Sequence, residues 1–209
     1  GPGFLMTQDY YFGINDTLVG DYRTRESFDS NAMSLYNTWE RYSGRATNQT
    51  ERARGAIARG QALFNNKVIQ ISGVAGLNDD LNIAVLKGTC TTCHNTPNSG
   101  NHSTPMPLNI GIADASRRTP DMPLYTLRKK ITGEIMQTTD PGRALLTGKW
   151  KDIGRFKGPI LRSVASRPPY FHDGSAKDLK AVIDFYDQRF KIRLTEKEKA
   201  DLVVFLATL

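Results

Sequence analysis

The stretch Cys90-Thr91-Thr92-Cys93-His94 reads C-x-x-C-H, the attachment signature of c-type haem. The chemistry sets this spacing. Two thiols must reach the two vinyl groups on one edge of a porphyrin and form thioethers. The next residue must then turn an imidazole onto the iron. One helical turn meets these demands, because its residues lie close together and the last points under the ring. Both of the chain's two cysteines are in this stretch. A redox dithiol would not need the histidine that follows. A zinc site would need a second ligand pair, which three histidines and no further cysteine supply poorly. A disulfide is the remaining alternative. The expectation is one covalent haem c on Cys90 and Cys93, with His94 as the proximal iron ligand.

Composition is compatible with that reading. The chain has 209 residues, 39% of them hydrophobic and 23% charged, as in ordinary soluble proteins. No apolar run approaches the roughly 20 residues of a membrane span. Haem c is attached outside the cytoplasm, so a periplasmic or otherwise extracytoplasmic location is expected, with a secretory signal removed or replaced. Gly1-Pro2-Gly3 reads as a cleavage scar. The formal charge of +7 suits docking with an acidic redox partner as well as simple solubility. The basic residues are dispersed, which argues against nucleic acid.

Outward from the motif, the pattern is helical. Residues 1–27 are polar and aromatic and broken by Gly13 and Gly20, so an N-terminal arm is expected there. Ala32, Met33, Leu35, Tyr36 and Trp39 have helical spacing. Asn48 with Glu51 forms a capping-box pattern ahead of a helix to Phe64. Residues 65–88 look irregular, and 95–124 form a loop long enough to wrap a haem edge. Residues 125–160 look like short helical or turn pieces. Ser175 is expected to cap a helix presenting Leu179, Val182, Ile183, Tyr186 and Phe190. Thr195 with Glu198 caps a terminal amphipathic helix. The expectation is an all-α fold: one haem domain over 28–209 with long haem-wrapping loops.

Several stretches together resemble a known family. Phe156-Lys157-Gly158-Pro159-Ile160-Leu161-Arg162-Ser163-Val164, Pro169-Tyr170-Phe171-His172-Asp173-Gly174-Ser175, and Leu194-Thr195 to Leu209 are similar to the second haem domain of bacterial di-haem cytochrome c peroxidases and MauG-type proteins. Phe28 to Arg45 and Arg59-Gly60-Gln61-Ala62-Leu63-Phe64 resemble the segment before that domain's haem motif. Asn109-Ile110-Gly111 resembles a family loop that usually has histidine where this chain has leucine. The resemblance covers most of 28–209 and implies a cytochrome c-like domain. The family carries two C-x-x-C-H motifs and this chain has one. Either the first haem domain has been lost or this chain is a fragment. In the family the first haem handles peroxide and the second supplies electrons.

The ligand opposite His94 decides the chemistry. Met106, Met122, Met136, His102, His172 and Tyr186 are candidates, and the residues alone leave them open. A methionine suits electron transfer, whereas a phenolate stabilises ferric iron. By resemblance, Asp184-Phe185-Tyr186 matches the context that supplies tyrosine in MauG-type proteins, so Tyr186 is the implied ligand. The resemblance also places His172 beside the haem on the distal side as a hydrogen-bonding group, and no other residue is singled out for catalysis. Arg162 is a candidate propionate partner. Trp39 and Trp150 are candidate electron relays, or simply core. The family's interdomain calcium uses backbone oxygens at places matched by Arg167 and Pro169; with one haem domain, calcium is not expected. Two functions follow: an electron-transfer module with His/Tyr-ligated haem, or a peroxidase-like or MauG-like enzyme, in either case with the option of a companion haem domain.

Overall fold

The computed structural model describes Gly20, residues 25–94 and residues 106–209. Most of the expected N-terminal arm and His102 lie outside the described residues. The described chain gathers into two compact units. One holds the described residues of Gly1–Gln70, Lys87–Thr104 and Pro159–Leu209; the other holds those of Ile71–Leu86 and Pro105–Gly158.

The first unit is built on three helices: α1 (Gln49–Asn66), α4 (Leu179–Phe190) and α5 (Glu196–Leu206). Between α1 and α4 in sequence come two one-turn helices, α2 (Asn78–Leu81) and α3 (Ala144–Thr147). Asn48 caps α1 by accepting the Glu51 N–H at 3.0 Å, and Thr195 with Glu198 forms the expected capping box on α5. At α4 the cap is Asp178, which accepts the Ala181 N–H at 2.8 Å; Ser175, expected in that role, instead gives its N–H to Asp173 in the preceding turn. Met33, Phe64, Leu161, Val164, Leu179, Ile183, Leu202, Phe205 and Leu206 form the buried core. Helix α1 crosses α5 at Gly60. A Cβ there would lie 2.0 Å from the Asp201 carbonyl and 2.6 Å from the Phe205 Cβ, so only glycine lets the backbones meet.

The helix expected from Ala32 onward is absent; only a 3-10 turn, Asn37–Tyr42, forms. The reason lies in buried amides of α1. Asn65 accepts the Met33 N–H at 3.0 Å and donates to its carbonyl at 2.7 Å, and Gln61 accepts the Tyr36 N–H at 2.9 Å. A helix from Ala32 would pair the Met33 carbonyl and the Tyr36 N–H within itself; here Asn65 and Gln61 take them instead.

The all-α expectation is corrected by the strands. Among the described residues there are three two-stranded sheets: β1 (Ile69–Ser72) with β2 (Val85–Gly88), β3 (Pro107–Leu108) with β6 (Phe156–Lys157), and β4 (Tyr125–Arg128) with β5 (Ile135–Thr138). The β3–β6 and β4–β5 pairs are antiparallel. The fold is mixed, with helices dominating the first unit. The strands are short, and β4–β5 has almost no buried face. Without a buried side there is no alternation of apolar and polar residues to reveal a strand. What makes the hairpin is the run of Tyr, Thr, Ile and Thr, together with a turn at Gly133, whose φ is +75°.

The second unit is centred on Arg155, 4% exposed, whose guanidinium meets Asp79 at 2.6 Å, Asp80 at 3.4 Å and Asp152 at 3.6 Å. Asn78 ties its loop by accepting the Val74 N–H and donating to the Ile71 and Ile83 carbonyls. Gly76, at φ +95°, packs so closely that a Cβ would lie 2.5 Å from the Pro107 carbonyl.

Candidate haem-attachment site

The C-x-x-C-H stretch leaves β2 through Thr89 and winds into a single 3-10 turn, Cys90–Thr92. The Cys93 N–H donates to the Cys90 carbonyl at 3.3 Å, and the His94 N–H donates to the same oxygen at 3.0 Å. That winding puts both thiols and the imidazole on one turn. Threonine hydroxyls lock it from beneath. Thr92 Oγ1 accepts the Thr89 N–H at 2.8 Å, and the hydroxyls of Thr89 and Thr91 lie 2.7 Å apart. All three threonines are buried.

The thiols are unbridged, and Cys90 packs against the apolar core. Burial pushes the Cys90 thiol up to about 12, with the neighbouring Cys93 adding to the effect, and burial alone does the same for Cys93. Such thiols stay protonated at neutral pH, unlike the activated thiolate of a redox dithiol. Among the described residues no group of three or more His, Cys, Asp or Glu could hold a metal ion by itself. Two unbridged thiols three positions apart and an adjacent imidazole are the donor set a c-type haem takes, and they fit it. The His94 ring faces Phe64 of α1, centroids 6.4 Å apart and planes at 50°.

Tyr186 lies on α4. Burial drives its phenol well above the ordinary tyrosine value, and the nearby Cys93 and Cys90 push in the same direction. Phe185 packs edge-on to its ring at 5.5 Å, and Phe190 stacks at 6.2 Å. Phe171 in turn packs on Phe185 at 4.9 Å. Helix α4 is held in place by ions. Lys199 of α5 meets Asp184 at 2.9 Å and Asp187 at 3.0 Å, and Lys180 meets Asp184 at 2.7 Å.

The other candidates are more dispersed. Met106 and Met122 are half-buried and Met136 is exposed, and all three belong to the second unit. His172 is exposed on the turn between Phe171 and Gly174, both at positive φ, closed by the Tyr170–Ala176 bridge. Arg162 is exposed. Its carbonyl accepts from Arg167, whose guanidinium also takes the Ile160 and Ser163 carbonyls at 2.8 and 3.2 Å. Arg167 and Pro169, the calcium-matching places, are both exposed. Sequence reading missed the buried Thr89, Thr91 and Thr92 set, and it took Phe64 for a core residue only. The threonine spacing around the cysteines carried a signal for a capped turn. The contact between Phe64 and His94, thirty positions apart, carried none.

Comparison with curated proteins finds similarity to cytochrome c peroxidases and to a methylamine utilization protein. The chain is 26% identical, over an alignment of 231 residues, to "Cytochrome-c peroxidase IdrP1" of Pseudomonas sp. (strain SCT); the match takes in all of this chain and 54% of the relative. It is 29% identical over 141 residues to "Cytochrome-c peroxidase IdrP2" of Denitromonas iodatirespirans, covering 63% of this chain and 38% of the relative. A stretch of 65 residues is 40% identical to "Methylamine utilization protein MauG" of Methylorubrum extorquens, covering 26% of this chain and 18% of the relative. The chain thus spans about half, or less, of the length of the curated relatives it matches. No family model and no solved structure matches it.

Proposed function

This chain is a member of the bacterial di-haem cytochrome c peroxidase/MauG superfamily, and from that premise we propose that it is an extracytoplasmic c-type cytochrome that passes electrons between redox proteins. Cys90 and Cys93 would hold one haem through thioethers, and His94 and Tyr186 would supply the ligands to its iron. What supports Tyr186 is its place on α4 with its ring packed between Phe185 and Phe190; burial favours the neutral phenol there, so a metal would have to take the proton's place on the oxygen. When bound, the haem supplies a one-electron iron couple. The chain's own groups tune it: an anionic phenolate favours the higher charge and so lowers the potential. We assign Arg162 to a haem propionate and His172 to a hydrogen-bonding role on the tyrosine side. The reading includes no calcium. It leaves room for a companion haem domain, since the matched relatives are longer.

A second reading follows from the relatives' names: a peroxidase or MauG-like oxidase reacting with hydrogen peroxide. The ligand set separates the two, because a closed six-coordinate iron cannot take peroxide without losing a ligand. Tyr186→Phe removes the oxygen and keeps the ring's packing on Phe185 and Phe190. The electron-transfer reading expects this variant to fold, to raise the potential and to change the ferric spectrum. An unchanged ferric spectrum and potential would remove Tyr186 from the iron. Rapid peroxide turnover by the wild type with a reductant would favour the enzyme.

A further inference from the structure

A continuous file of rings runs from His94 to the surface of the first unit. His94 faces Phe64 at 6.4 Å, Phe64 packs on Phe205 at 5.5 Å, Phe205 meets Tyr36 edge-on at 6.2 Å, and Tyr36 stacks on Trp39 at 4.7 Å. Phe64 and Phe205 are buried, and Trp39 is partly exposed. A core alone accounts for Phe64 and Phe205. It does not account for a file that starts at the proposed iron ligand and ends on a solvent-facing tryptophan.

The outer end of the file carries positive charge. The Arg54 guanidinium lies 5.4 Å from the centre of the Trp39 ring. Arg41, Arg45 and Arg52 are also exposed on the same two elements, the 37–42 turn with its exit and the start of α1. Those elements touch: a Cβ at Gly55 would lie 2.9 Å from the Tyr42 carbonyl. The acidic residues here are Glu40 and Glu51, and the Glu51 carboxylate is taken by the N–H and hydroxyl of Thr47. An aromatic group under one arginine, with further exposed arginines on the same elements, suits an acidic protein surface, which the charges would steer and the ring would meet.

We propose that Trp39 and Arg54 form the docking point for an acidic one-electron redox protein, with Tyr36, Phe205 and Phe64 as the packed path between that point and His94. The proposal rests on the electron-transfer reading above. One electron leaves the partner, which is oxidised by one, and the haem iron is reduced from ferric to ferrous. No bond forms or breaks, and no proton moves.

The test uses the haem-loaded full chain with two donors: a reduced plant-type ferredoxin, which is acidic, and photoreduced 5-deazariboflavin, a neutral low-potential donor. Affinity for oxidised ferredoxin is measured alongside by calorimetry. Arg54→Glu is expected to weaken ferredoxin binding and to slow its reduction of the haem roughly tenfold at low salt, with the rates converging at high salt. Trp39→Leu is expected to lower the limiting reduction rate several-fold at any salt. The flavin should reduce both variants at the wild-type rate with the haem spectrum unchanged, and Arg54→Glu should melt as the wild type does. Wild-type ferredoxin binding and rates in both variants would overturn the port. A wild type that takes no electron from either donor would instead overturn the electron-transfer reading beneath it.

Discussion

Phe205→Ala is the perturbation whose cost is best fixed by the geometry. Phe205 is 0% exposed and sits between Phe64 at 5.5 Å and Tyr36 at 6.2 Å, the latter pair crossing at 88°. Truncating a buried phenylalanine costs about 3–5 kcal/mol, depending on how far the surroundings collapse into the space left. Collapse is restricted here. The backbones of α1 and α5 already touch at Gly60, where a Cβ would lie 2.6 Å from the Phe205 Cβ, so the helices cannot close further. The two ring contacts are lost as well, each worth about 0.5–1.5 kcal/mol beyond area. The expected cost is therefore in the upper half of the range, about 4–5 kcal/mol. At roughly 2–4 °C per kcal/mol for a chain of this size, melting should fall by about 8–20 °C. Urea and thermal denaturation followed by far-UV circular dichroism and the Soret band check it. A loss under about 1 kcal/mol would refute the packing argument, since only an unconfined ring is so cheap to remove.

Three further outcomes are expected. Asn65→Ala should cost on the order of 2 kcal/mol in urea denaturation, because it strands the buried N–H and carbonyl of Met33 that Asn65 now satisfies. Gly60→Ala should cost at least about 1–3 kcal/mol, because the new methyl meets the backbone carbonyl of Asp201, which cannot swing aside. Stability should fall on the acid side. Lys180 and Lys199 hold the Asp184 carboxyl below the usual range; burial works to raise Asp187 and Asp201, yet Leu194 N–H and Lys199, and Arg59 and Lys197, hold them low. Depressed carboxyls contribute above their ordinary pKa of about 4 and lose that contribution as pH falls further. Lys199 is raised by hydrogen bonds to Asp184 and Asp187, so its share is present below the ordinary lysine value and is lost as pH rises through its folded one. Melting temperature against pH checks this, and Lys199→Met should flatten the acid limb.

Local sequence carried the site better than the fold around it. Cys90, Cys93 and His94 were singled out because the chemistry fixes their spacing, and the structure winds them on one turn. The caps at Asn48 and Thr195 were readable for the same local reason. The 32–39 segment misled because its apolar spacing is helical while its hydrogen bonds go to Gln61 and Asn65, some thirty residues away. The β4–β5 hairpin was hidden by its exposure on both faces. Arg155, 4% exposed among three aspartates drawn from two distant stretches, gave no local sign of burial. Tyr186 was singled out only through family resemblance; its helix face predicted an inward ring, and the structure packs that ring against Phe185 and Phe190.

The central claim is covalent haem at this single turn, and denaturing mass spectrometry of the full chain, produced with c-type haem maturation, tests it most directly. The account predicts one haem added to the polypeptide and its loss in a Cys90→Ala, Cys93→Ala double variant. A haem that extracts into acidic organic solvent, leaving the unmodified chain mass, would contradict it.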